Sequence, residues 1–217
     1  MIIAVDGPAG AGKSTVSRIL AQRLGFLYID TGAIYRAITL KAIQEKIDIN
    51  DSAGLITMAT QSSIELINEQ DSALKIFLDD KDVTSQIRQP DITKLVSDIS
   101  KLKGIRKVAL GLQRRLGKRG NSVLDGRDIG TVVFPGADNK FYIDAEFNER
   151  VRRRYEELKE LGQSVTLKDI ENDLHNRDTI DSTREFAPLK KAEDAIYIDT
   201  TNMSIEEVVK TLLRHIR

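Results

Sequence analysis

Residues 7–14 read Gly7-Pro8-Ala9-Gly10-Ala11-Gly12-Lys13-Ser14, a complete G-x-x-x-x-G-K-[ST] string set between an apolar run at 2–5 and a segment of helical periodicity. A chain carrying it needs a strand that delivers the loop and a helix that leaves it. The glycines let the backbone wrap so that successive N–H groups face an anion. Lys13 adds a cation, and the Ser14 hydroxyl is a ligand for Mg²⁺. The helix that follows presents its positive end to the same place. The string therefore predicts an α/β fold that grips the phosphates of a nucleoside triphosphate.

The rest of the chain keeps that rhythm. Short apolar runs at 2–5, 27–29, 122–124, 140–143 and 195–198 read as buried parallel strands, and each is followed by an aspartate: Asp6, Asp30, Asp125, Asp144 and Asp199. Open parallel sheets place their ligands at this carboxyl end, although some of these aspartates are expected only to cap the next helix. Helical stripes intervene at 13–24 with Gly25 as a stop, at 92–99 after Pro90, at 105–116 before Gly117, and around Val208, Leu212 and Leu213. Residues 63–83 alternate instead, as an antiparallel hairpin or meander with turns at 68–72 and 79–82. The expected architecture is a three-layer P-loop fold: a five-stranded parallel sheet flanked by helices, with a small antiparallel β insertion. Residues 150–185, dense in Arg and Asp, are expected to form a mobile lid over the site.

The 217 residues include 33 basic and 33 acidic side chains, so net charge supplies no general attraction to nucleic acid or anionic membrane. The charge is local. Nine basic residues face one acid between 101 and 127, and Arg150, Arg152, Arg153 and Arg154 form a second cluster. Both are open to two readings, anion handling or solvated helix faces paired with acids such as Glu149, Glu156 and Glu157. The chain has no cysteine, no basic leader and no run of about 18 apolar residues, which predicts a cytoplasmic protein that is neither exported nor membrane-spanning. His175 and His215 are the two histidines and have no partner motif, which argues against histidine catalysis and zinc chemistry.

A P-loop alone leaves NTPase and kinase open. A guanine reader of the form Asn-Lys-x-Asp is absent, since Asn139-Lys140-Phe141-Tyr142 lacks the aspartate. A small P-loop fold with an insertion and an arginine-rich flap suits phosphoryl transfer to a small acceptor from which water is excluded.

Four strings together carry a resemblance. They are Gly7 to Ser14; Asp30-Thr31-Gly32-Ala33-Ile34-Tyr35-Arg36; Asp125-Gly126-Arg127-Asp128-Ile129-Gly130-Thr131-Val132-Val133-Phe134-Pro135; and Arg177 through Ala187-Pro188-Leu189. With them the chain resembles bacterial cytidylate kinases from end to end. The resemblance implies transfer of the ATP γ-phosphoryl group to CMP or dCMP with Mg²⁺. It also implies a core (about 1–36, 101–149 and 185–217), a CMP-binding region carrying the β insertion (about 37–100) and a lid (about 150–184). Partners are then ATP and CMP or dCMP, with no nucleic acid or membrane, and the chain is expected to be a monomer.

By that resemblance Gly7, Pro8, Ala9, Gly10, Ala11, Gly12, Lys13, Ser14 and Thr15 bind ATP. Arg36, Arg127 and Arg184 hold the acceptor phosphate or the migrating group beside Thr31, with Lys13, Arg127 and Arg184 as the catalytic cations. Arg177 and Asp181 match ribose contacts, and Ser97, Arg106 and Asp128 match the cytosine reader. Taken without the resemblance, Asp128 could instead pair structurally with Arg127 or Arg106, and Ser97 and Arg106 could be surface helix residues. Asp125, at a strand end, is expected with Ser14 at Mg²⁺; Asp6 either joins them or makes a structural hydrogen bond. Arg150 and Arg154 lie i, i+4 on one lid face and are expected to reach ATP phosphates, while Arg152 and Arg153 face solvent or acids. Two rivals remain: a kinase for UMP, AMP or shikimate, and a regulatory or nucleic-acid-associated ATPase.

Overall fold

Short runs that are apolar on both faces need cover on both sides. The computed structural model, which describes residues 1–69, 74–160 and 162–216, arranges the chain accordingly. The first half runs β1 (Ile2–Asp6), α1 (Lys13–Leu24), β2 (Leu27–Asp30), α2 (Thr31–Gln44), α3 (Ser52–Gln61), β3 (Ile64–Asn68), β4 (Leu74–Leu78) and β5 (Lys81–Asp82). It continues with α4 (Pro90–Ser100), α5 (Lys103–Gly117), β6 (Ser122–Gly126), β7 (Asn139–Asp144), α6 (Phe147–Glu160), α7 (Leu167–Thr183), β8 (Ile196–Asp199) and α8 (Ile205–His215). No described helix is long and apolar enough to cross a membrane.

The five strands pair in the order β2-β6-β1-β7-β8, all parallel. Alternation along β1 sends Ile3 and Val5 to the face covered by α1 and α8, where Leu20, Val209 and Leu212 are buried, and sends Ala4 to the opposite face. That second face carries α2 to α5 and the hairpin, with Ile34, Ile38, Leu55, Ile92 and Ile105 buried in one cluster. Parallel pairing brings the carboxyl ends of all five strands to one rim.

The insertion is a three-stranded antiparallel sheet in the order β3-β4-β5. Asp79 (φ 48°) and Asp80 (φ 64°) are both left-handed in the two-residue loop where Leu78 pairs with Lys81, the backbone such tight hairpins require. The turn expected at 68–72 lies partly outside the described residues. Residues 150–185 form most of α6 and α7, joined by a small apolar cluster of Val151, Leu158, Ile170 and Leu174 that also receives Ala9 of the P-loop.

The strand-end aspartates divide as local geometry dictates. Asp30 caps α2 by accepting from the Ala33 N–H (3.0 Å), and Asp144 and Asp199 accept from the Ala145 and Thr201 amides in their own turns. Asp6 takes the Ile129 and Gly130 amides, both at 2.7 Å, and so is structural. Those amides open a single turn of π-helix, Ile129–Val133, closed by the Phe134 N–H on the Ile129 carbonyl (2.7 Å). Asp125 alone of the five meets the P-loop helix.

Candidate active site

A cleft of about 860 Å³ opens over the strand rim, lined by Ala9 to Val16, the first turns of α2, α4, the end of β6, and α6 and α7. Gly12 caps α1 from the left-handed region (φ 86°), which turns the loop amides inward. Gly7 and Pro8 sit beneath the lining: a Cβ on Gly7 would lie 1.9 Å from the Ile143 carbonyl oxygen, so the loop can pass over β7 only as glycine. Lys13 is buried, and its Nζ donates to the Pro8 carbonyl across the loop. Burial, and then the Arg127 charge, pull the Lys13 pKa down.

Asp125 stands under α1. Its Oδ2 accepts from the Ser14 hydroxyl at 2.6 Å, its Oδ1 from the Tyr28 hydroxyl at 3.1 Å, and its backbone carbonyl from the Thr31 hydroxyl at 2.7 Å. Burial first, and then the Asp30 carboxylate, push the Asp125 pKa up. Hydroxyl and carboxylate oxygens at one point are hard ligands of the kind Mg²⁺ takes, with the rest of an octahedron left to phosphate and water. Among the described residues no group of three or more acids, histidines or cysteines competes as a metal site.

Beyond the P-loop the cleft is walled by arginines held on acids. Arg106 is 3 % exposed, not a surface helix charge, and donates to Asp128 at 2.7 Å; its guanidinium also lies 5.2 Å from the Tyr35 ring centroid. Asp181 accepts from Arg127 on Oδ2 and from Arg184 on Oδ1, both at 2.8 Å, and Arg184 further donates to the Ala187 carbonyl (2.7 Å). Arg36 donates to Thr93 (2.9 Å), and Arg177 lies 3.8 Å from Asp173. Burial, and then the Arg177 and Arg154 charges nearby, pull the Arg36 pKa below its ordinary range. Ser97 is half-buried and lines the same wall. The structure thus gathers Thr31, Arg36, Ser97, Arg106, Arg127, Asp128, Arg177, Asp181 and Arg184 on one cleft with Lys13, Ser14 and Asp125.

The two arginines expected to reach ATP phosphates, Arg150 and Arg154, part company. Arg154 lines the cleft and pairs with Glu157 at 2.8 Å. Arg150 does not belong to the lining. It is buried under the loop, where it donates to the Ala145 carbonyl (3.1 Å), the Ala9 carbonyl (3.0 Å) and Asp178 (2.6 Å). An i, i+4 spacing places two residues on one face, but the approach of the loop to α6 leaves Arg154 half-buried on the cleft and encloses Arg150. Arg152 pairs with Glu149 and Glu156 as expected. Arg153 pairs with Glu149 and also grips the Thr200 side chain and carbonyl (3.0 and 2.6 Å), tying α6 to the turn after β8.

Several lining residues had no role assigned from the sequence: Tyr35, Arg88, Thr93, Ser100 and the turn from Thr200 to Ser204. Tyr35 carried a usable signal, since it follows Thr31 by one helical turn on α2. Arg88 and Thr93 flank Pro90 without any pattern, and only the fold brings them in.

Comparison with known proteins agrees with this geometry. The cytidylate kinase family profile matches residues 3–217. A cytidylate kinase of Halalkalibacterium halodurans is 48 % identical over 217 residues, covering 100 % of this chain and 97 % of that protein. One from Carboxydothermus hydrogenoformans is 47 % identical over 213 residues (98 % and 96 %), and one from Clostridioides difficile 45 % over 216 residues (100 % and 98 %). Among solved structures, a shikimate kinase from Bacteroides thetaiotaomicron superposes with a TM-score of 0.50 at 12 % identity, covering 99 % of this chain and 97 % of that one, a likeness of fold alone. A P-loop cleft walled by paired arginines, on a chain matched to one kinase family along nearly its whole length, is an enzyme of that family: the chain belongs to the cytidylate kinases.

Proposed function

We propose that the protein transfers the γ-phosphoryl group of ATP to CMP or dCMP, giving ADP and CDP or dCDP. The observation that carries the choice of acceptor is the buried Asp128 carboxylate, held by Arg106 on the cleft that Ser97 also lines. Cytosine offers an amino donor at N4 and acceptors at N3 and O2, so its reader needs an acceptor flanked by donors, and this trio supplies both.

Transfer breaks the bond from the bridging β,γ oxygen to Pγ and forms one from an acceptor phosphate oxygen to Pγ, the bridging electrons leaving with ADP. Little covalent work falls to the protein, which positions two polyanions and spreads positive charge around the migrating group. The amides and Lys13 of the loop suit the donor phosphates. Arg36, Arg127 and Arg184 suit the acceptor phosphate and the group in flight, and Arg177 and Asp181 suit the ribose. Arg154, on the cleft lining, suits the phosphates, whereas Arg150 acts beneath the loop by bracing the Ala9 carbonyl. Ser14 and Asp125 would hold Mg²⁺, which neutralises phosphate charge when bound. The lining from Thr200 to Ser204, next to the loop, suits the donor nucleoside. On this reading α6 and α7 are a lid, and the enzyme works as a monomer on free nucleotides in the cytoplasm.

The test is ADP release with CMP, dCMP, UMP, AMP, shikimate and no acceptor. Turnover with CMP and dCMP well above the others is expected. Equal turnover without acceptor would make the protein an ATPase, and a preference for another acceptor would move the assignment there.

A further inference from the structure

We infer that Tyr28 is a positioning residue for the metal-holding carboxylate, an inference that rests on Ser14 and Asp125 being the Mg²⁺ residues. In the β2–β6 register Tyr28 lies opposite Val123 and Asp30 opposite Asp125. Val123 and Asp125, two apart on β6, share a face, so Asp125 is the diagonal neighbour of Tyr28, within reach of a phenol. The ring is buried in the apolar cluster with Ile3, Val16, Leu20 and Val123, where phenylalanine would pack as well. The one polar atom tyrosine adds meets Asp125 Oδ1 at 3.1 Å and lies beside the Ser14 hydroxyl as well, which itself occupies Oδ2 at 2.6 Å.

Two donors on two oxygens fix the plane of a carboxylate that a single hydroxyl would leave free to turn. The phenol thereby keeps one oxygen on the sheet side and presents the other to Ser14. Its own footing is secured from the opposite side. Asn68, at the end of β3, accepts from the Tyr28 N–H and donates to the Tyr28 carbonyl, both at 3.1 Å, so the backbone beneath the ring is held as well. Partners of this kind, one step behind the metal, orient the groups that bind it.

The experiment uses the full chain with Mn²⁺ as the probe and adenylyl imidodiphosphate as a non-hydrolysable ATP analogue. It measures analogue affinity with and without Mn²⁺, and bound Mn²⁺ by electron paramagnetic resonance. Tyr28→Phe is expected to reduce the metal-linked gain in affinity about 10-fold, with metal-free analogue and CMP affinities within about twofold of wild type. Placing 4-aminophenylalanine at position 28 restores a donor and should restore the gain. If Tyr28→Phe fails to fold, 4-methylphenylalanine, which keeps the bulk and lacks the donor, takes its place. A wild-type metal response in the donor-less variant overturns the inference, as does an equal loss in metal-free binding, which would mark general damage to the loop. If the wild-type protein itself shows no metal-linked gain, or Asp125→Asn retains it in full, the assignment of Ser14 and Asp125 falls first and takes the inference with it.

Discussion

Arg106, on α5, donates to Asp128 across 2.7 Å at the end of β6, and both side chains are buried. A salt bridge so placed serves the core only if the carboxylate has no further partner to meet, and substrate discrimination separates the two roles. On the proposed reading the carboxylate gains a charge-assisted hydrogen bond with N4 of cytosine, whereas with uracil it would face a carbonyl. Asp128→Ala is expected to lower kcat/KM for CMP by about 100-fold or more and that for UMP by less than about 10-fold. A common factor for both substrates would return Asp128 to a purely structural role.

Lys13→Ala should retain the fold and lose at least about 100-fold in turnover, because the loop cation meets charge that develops only in transfer. The substitution removes the Lys13 bond to the Pro8 carbonyl but leaves in place the left-handed glycines Gly10 and Gly12, Gly7, and the Asp125 link to Ser14 that shape the loop. Thermal unfolding paired with steady-state kinetics is the check, and near-normal turnover with CMP would remove Lys13 from the chemistry.

Asp6 carries a pH signature. Burial outweighs its two backbone amides and raises its pKa from 3.8 to about 6, so the folded state holds this proton more tightly than the unfolded chain. Stability from this group therefore falls as pH rises from about 4 to about 6, by up to about 3 kcal/mol. In Asp6→Asn that component of the pH dependence should vanish, leaving a flatter profile whatever the offset from losing one amide acceptor. Denaturant unfolding at several pH values measures it, and parallel profiles for the two proteins would show that Asp6 titrates normally.

The lid reading predicts cooperative protection. ATP and CMP together should shield 150–184 from proteolysis more than either ligand alone, since closure brings α6 and α7 onto both. Limited digestion followed by mass spectrometry reads the cut sites. Identical cleavage in all four ligand conditions would make the segment a static wall.

Periodicity made much of this molecule legible. The five strands, α1 with its Gly25 stop, α4, α5, α8 and the hairpin follow from apolar spacing, although β8, expected to be buried, lies at the sheet margin with Ile196 and Tyr197 exposed and only Ile198 in the core. The helices α6 and α7 left too faint a trace, because their buried apolar side chains are few: Val151, Leu158, Ile170 and Leu174, packed against each other and Ala9. Within the site, residue type was readable and depth was not. Arg106 and Lys107 are adjacent cations in one helix, yet the first is enclosed by Asp128 and Tyr35 and the second is exposed. Arg150 misled for a related reason: its three acceptors are contributed by the P-loop, the end of β7 and α7, a conjunction that no local pattern encodes.

The Asn68 amide on Tyr28 has a colloidal consequence as well. β2 lies at one margin of the parallel sheet, where unpaired backbone groups invite another chain to add a strand. By matching both the N–H and the carbonyl of Tyr28, a single side chain from the insertion imitates one rung of a neighbouring strand and leaves that margin nothing to offer there. A shortened chain lacking 63–83 would leave the Tyr28 N–H and carbonyl unmatched, an edge of the kind to which another strand can add.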